Sequence, residues 1–260
     1  MRRNLKLALA LAAFAVAGLG GEAQAAVFTW TFRGVVGSGS DETGVFGAPA
    51  ADLTGRRWRA VVTTDTATPG AVIQDAGLYT RIDGYGDLTP VKVAFTLNGV
   101  TRLLGVPPAE LPEFANADGR QLQLDGVFDG FPYDEAFDIQ ADNLALFATA
   151  GINVYLNERI ELLGVGAGLD FLPGPDFTTL PTLTPPPGAI FAGLVVFDHV
   201  AGNTETGEDT VYERASAGLR ITSITTGAVP EPAGWALMIT GFGAIGVLAR
   251  RRRDVARCFG

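Results

Sequence analysis

From Val27 to Phe32 the chain alternates Val27, Thr29 and Thr31 with Phe28, Trp30 and Phe32. That is the two-residue period of a β-strand with one aromatic face. The runs VKVAFTL and VTRLLGV flank Asn98-Gly99. Both turn residues tolerate positive φ, so a tight hairpin is predicted there. Strand-like runs continue with RQLQLDGVF, AFDIQAD, LALFAT and INVYLNERIELLGV. After a proline-rich loop from Pro173 to Pro187 come AIFAGLVVFDHV, TVYERA and LRITSITT. No long helical period and no fixed repeat interrupts this series. Many short strands with Gly and Pro turns predict an all-β fold, a single antiparallel β-sandwich of jelly-roll-like form.

The two ends are patterned differently. Arg2, Arg3 and Lys6 precede an apolar run from Leu7 to Leu19, and Ala23-Gln24-Ala25 offers small residues where a signal peptidase reads. As a helix the run spans only about 20 Å, too short to cross a bilayer, so a cleaved N-terminal signal helix is expected, with cleavage after Ala25. At the other end Gly234 to Ala249 carries no charge over 16 residues. It would cover about 24 Å as a helix, a short C-terminal transmembrane span against a core of about 30 Å. Arg250, Arg251, Arg252 and Arg253 follow it and are expected to stay cytoplasmic as a stop-transfer cluster. That orientation exports everything before Val229, which agrees with the signal at the start.

Removing both ends changes the charge. They hold eight of the 19 Lys and Arg but three of the 28 Asp and Glu, so the body stands at −14 where the whole chain stands at −9. Such a body repels nucleic acid and anionic membrane. The only cysteine, Cys258, lies beyond the arginines, so the body has no disulfide and relies on burial of apolar surface. His199 is the only histidine, and Ser38, Ser40, Ser216 and Ser223 are the body's serines, none within a G-x-S-x-G turn. A zinc site needs several N or S ligands and is not available; the chain is read as non-enzymatic, with no catalytic residue and no required cofactor. Carboxylates concentrate in DGVFDGFPYDEAFDIQAD, at Asp125, Asp129, Asp134, Glu135, Asp138 and Asp142 beside Phe128, Phe131 and Tyr133. Three readings stay open for this stretch. Asp125, Asp129, Asp134 and Asp138 are candidates for a weak structural Ca²⁺ site, the acids and aromatics together suit a glycan, and the third reading is a solvated acidic surface. A glycosidase needs two carboxylates about 5–10 Å apart, and the sequence selects no such pair.

The C-terminal order Pro230, Glu231, Pro232, Trp235, Ala236, then the apolar run, then the arginines, resembles the PEP-CTERM sorting signal in its PEPxxWA variant. The resemblance covers about 25 residues in register. It implies an exported protein of a Gram-negative bacterium, held transiently in the inner membrane by its tail until an exosortase cuts near the Pro-Glu-Pro. Its final location would be the cell surface or the extracellular space. The expected partners are signal peptidase, the exosortase and exopolysaccharide of a biofilm or floc, with no nucleic acid. Two prolines hold Val229 to Pro232 out of a helix, as a protease substrate requires, and Trp235 suits the membrane interface. Gly37 to Gly55 is also similar to an opening loop of that family, whose glycine and phenylalanine order falls at Gly39 to Gly47 with a slip of one residue. The chain thus divides into a signal peptide (1–25), an exported body (26–228), the sorting segment (229–253) and a cytoplasmic tail (254–260). A carbohydrate-binding module or a carbohydrate-active enzyme sorted by the same tail is the alternative.

Overall fold

A computed structural model describes residues 27–77, 79–86, 89–106, 115–125, 135–149, 152–174, 182–203 and 205–228. The signal segment with Ala23 and Ala25, the motif residues Pro230, Glu231, Pro232, Trp235 and Ala236, and Arg250 to Arg253 lie outside the described residues.

Twelve strands follow one another: β1 (Val27–Asp41), β2 (Ala51–Asp52), β3 (Arg57–Asp65), β4 (Val72–Asp75), β5 (Tyr79–Tyr85) and β6 (Val91–Leu97). Then come β7 (Val100–Leu104), β8 (Ala115–Asp125), β9 (Glu135–Thr149), β10 (Ile152–Gly166), β11 (Ile190–Asn203) and β12 (Asp209–Ala228). The expected hairpin is present: β6 and β7 pair around Asn98 at φ 51° and Gly99 at φ 84°. Both turn residues are left-handed, as a two-residue turn matched to strand twist requires. Two pairs of predicted runs fuse. AFDIQAD and LALFAT are both β9, and TVYERA and LRITSITT are both β12. The break read at Asp142–Asn143 disappears because buried Asn143 is satisfied on the inner face by distant partners.

All pairings are antiparallel, and the ladder runs β4-β5-β8-β9-β10-β11-β12-β1-β3-β6-β7, with β2 beside β1. The all-β antiparallel expectation holds. The strands make one sheet, and the sandwich-like core arises because that sheet curls until β6 and β7 lie against β8, β9 and β10. Register shifts between β1 and β12 at Arg33/Gly34 and Val36/Ser38 mark irregularities at the middle of the path, where bulges add twist.

The aromatic face read in β1 is the inner one: Trp30 and Phe32 are buried. Phe32 meets Phe137 at 5.8 Å between ring centroids, and Phe137 meets Phe191 edge-on at 5.3 Å. Phe46 packs edge-on against Phe95 at 5.7 Å and Phe197 at 5.2 Å, tying the loop after β1 to β6 and β11. Each such ring pair adds about 0.5–1.5 kcal/mol beyond area burial. Glycine at 164 makes room for this packing, since a Cβ there would stand 2.1 Å from the Phe137 ring.

The curl is closed by side chains in place of a final backbone ladder. Asn143 of β9 donates to the Leu103 carbonyl at 3.0 Å and accepts from the Val106 N–H at 3.0 Å, so it serves backbone groups of and beyond the edge strand β7. Arg102 of β7 reaches Glu158 of β10 at 3.2 Å and Glu213 of β12, with its guanidinium 5.3 Å from the centre of the Phe197 ring. Thr64 of β3 donates to Gln121 of β8 across the buried interior at 2.7 Å. Inward polar residues thus fasten one wall of the sheet to the other.

Candidate functional site: a groove on the outer face

Strand alternation divides the acidic stretch between the two faces of β9. Glu135 points inward and is buried, accepting N–H groups of Phe171 at 2.6 Å and Leu172 at 3.1 Å. Asp138 and Asp142 point outward. Among the described carboxylates of this stretch, Glu135 thus stands on the opposite face from Asp138 and Asp142. Asp138, one of the Ca²⁺ candidates, commits an oxygen to Arg120 at 2.5 Å. Asp125 pairs with Glu135 at the end of the β8–β9 ladder, while Asp129 and Asp134 lie outside the described residues. Among the described residues no three His, Cys, Asp or Glu side chains stand together as a metal site would need. His199 lies in β11 with its ring 5.1 Å from Tyr212, at a register shift opposite Glu213. Ser40 and Ser216 are cross-strand partners on β1 and β12.

The outer face of β4, β5, β8 and β9 carries a groove of about 270 Å³. Its axis follows one row of directly opposed residues: Gln74 beside Arg81, Arg81 beside Leu122, and Leu122 beside Asp138. With strands about 4.8 Å apart, that row covers about 14 Å. Tyr79 and Leu124 form the next row and share a small apolar cluster with Ala136, Leu163 and Val165. Arg120 occupies the row on the other side, between Asp83 and Gln140. The arginines are anchored: Arg81 meets Asp83 at 3.0 Å and Arg120 donates to Asp138. A strip of apolar surface thus lies between fixed polar arms.

Burial pushes the Asp138 carboxyl above its ordinary value, against the opposing pull of Arg120 and reinforced by Glu161. Burial likewise raises Asp142, opposed by its hydrogen bond from Gln140 and by Arg159. A raised folded-state value means that the native state holds the proton more tightly than the unfolded chain. The stability these groups contribute is then complete below the unfolded value, about 3.9, and is lost as pH rises through the folded values. Replacing Asp138 and Asp142 together with Asn should therefore raise stability relative to wild type at pH 7. That gain should disappear by about pH 4. Urea melts at the two pH values check this, and a difference independent of pH refutes it.

Sequence reading missed Tyr79, Arg81, Gln74 and Arg120. A faint signal was present, since Tyr79-Thr80-Arg81-Ile82-Asp83 alternates outward and inward positions, but Ile82 is its only aliphatic inward residue. What defines the groove is the pairing of β5 with β8, which local pattern does not specify. The described molecule belongs to the class of all-β domains built on one continuous, curled antiparallel sheet. No protein-family model, curated protein or solved structure matches the chain.

Proposed function

We propose that this is an exported surface or matrix protein, non-enzymatic, which works with exopolysaccharide and is sorted by its C-terminal segment. In this reading the signal peptide ends at Ala25, and the tail from Pro230 to Arg253 holds the chain in the inner membrane. An exosortase then cuts near Val229 to Pro232. The observation that carries it is the sequence order of motif, apolar run and arginines. Support comes from the sheet: Phe28 is paired with Ala228, so the residues that follow the signal and precede the motif stand at the same end of the molecule. One residue, Val229, separates the last strand from Pro230. Both segments that engage the membrane would then attach at one pole.

Replacing Pro230, Glu231 and Pro232 with Ala should leave the protein in the inner-membrane fraction, while wild type reaches the surface or medium without Arg250 to Arg253. Fractionation with intact-mass analysis reads both results. Unchanged release of the triple variant overturns the sorting assignment, as does an extracellular chain that keeps its arginines. A carbohydrate-binding or carbohydrate-active role is the second reading, favoured by the groove's apolar strip between fixed polar arms. Incubation with the organism's own polysaccharide separates them: shortened polymer indicates an enzyme, and retention on intact polymer indicates a binder.

A further inference from the structure

We propose that the outer groove over β4, β5, β8 and β9 is a binding site for an uncharged, hydroxyl-rich saccharide. The inference rests on the polysaccharide reading above and deepens it by naming the site and the ligand chemistry. Of the acidic stretch singled out in the sequence it uses Asp138 alone.

Tyr79 and Leu122 provide an apolar strip backed by the buried Leu124, and a pyranose ring offers C–H faces that such a strip can cover. The row of about 14 Å across four strands suits an extended oligosaccharide better than a compact metabolite. Its backbone is held in paired strands, so binding rearranges side chains alone.

Arg81 is paired with Asp83 and Arg120 with Asp138, so each arginine's charge is met by a carboxylate beside it. The surrounding body is strongly acidic. A phosphate or uronate would meet paired arginines inside a repelling surface, whereas a neutral polyol meets donors and acceptors at no such cost.

Arg120 and Asp138 meet through one contact, Nη2 to Oδ2, in place of a two-pronged fork. Arg120 Nε and Asp138 Oδ1 are left without a hydrogen-bond partner, one a donor and the other an acceptor. A hydroxyl is donor and acceptor at once and matches both. Both atoms are screened from solvent, so a ligand reaches them through a shift of the Arg120 side chain, which is 34% exposed.

The test is isothermal titration of the full chain, purified in a detergent without a sugar headgroup. The probes are the neutral β-1,4-linked hexaoses of glucose and of mannose, with hexagalacturonate as the charged arm. At least one neutral hexaose should bind, more tightly than hexagalacturonate, and with little change between 50 and about 300 mM salt. The partly exposed Arg81→Gln should weaken it about tenfold or more with the melting temperature retained, and Arg120→Ala should weaken it as much with a lowered melting temperature, because Asp138 loses its partner. Tyr79→Ala should weaken it as well, and Arg81→Gln serves where that variant fails to fold. No binding of either neutral hexaose overturns the inference, and so does binding that both arginine variants leave unchanged. Tighter binding of hexagalacturonate overturns the uncharged ligand. If the groove variants are still retained on native polysaccharide, the groove assignment fails while the matrix reading stands.

Discussion

A chain that ends at Gly207 should not fold, and its loss of structure should be complete rather than local. β12 occupies the centre of the ladder, paired along one edge with β11 and along the other with β1. Without it the sheet separates into β1, β3, β6 and β7 on one side and β4, β5 and β8 to β11 on the other. The aromatic core lies between those halves, and neither half can bury its inner face alone. Cutting there also removes Ala215, Ala217, Leu219, Ile221 and Ile224 from the core and takes Glu213 from Arg102. The pairing of Phe28 with Ala228 joins residues at opposite ends of the body. Such separation makes folding slow, and it delays closure of the sheet until the last strand is available. Near-UV circular dichroism and a urea melt should show no cooperative transition in the shortened chain. A cooperative melt with native-like aromatic signal would show that β12 is dispensable.

Asp41→Ala should cost about 2–6 kcal/mol, on the basis of about 1–3 kcal/mol for each of the two buried donors, Val45 and Phe46, left unsatisfied. Asp41 ends β1 fully buried and accepts three successive N–H groups: Gly44 at 2.8 Å, Val45 at 2.7 Å and Phe46 at 2.7 Å. The turn demands glycine at 44, where φ is 92°. It delivers Phe46 between Phe95 and Phe197, so loosening the turn also loosens two ring contacts. Asp41→Asn keeps one acceptor oxygen and should fall between Ala and wild type. Urea denaturation at pH 7 ranks the three. A loss below about 1 kcal/mol for Ala, or equal losses for Ala and Asn, would refute the role assigned to this carboxylate.

Strand content and the β6–β7 hairpin were readable because both depend on neighbours in sequence. A two-residue period places Trp30 and Phe32 on one face whatever lies opposite, and Asn98-Gly99 takes its turn conformation by itself. The sequence by itself also set the charge contrast between the acidic body and its basic ends, and the order of residues that suggests sorting. Choice of partner was decided only in the tertiary structure. Ladder pairing is nearly the same for any two strands, so long-range packing has to choose it. This choice placed β1 beside β12, curled one sheet where a sandwich was expected, and made Arg102, Asn143 and Gln121 inward residues with mates from remote strands. It also sent Glu135 into the interior and Asp138 to the outer face, separating two carboxylates that lie three residues apart in the chain. The groove follows the same rule: Gln74, Arg81, Leu122 and Asp138 become one row because four strands lie side by side, and no local pattern encodes that adjacency.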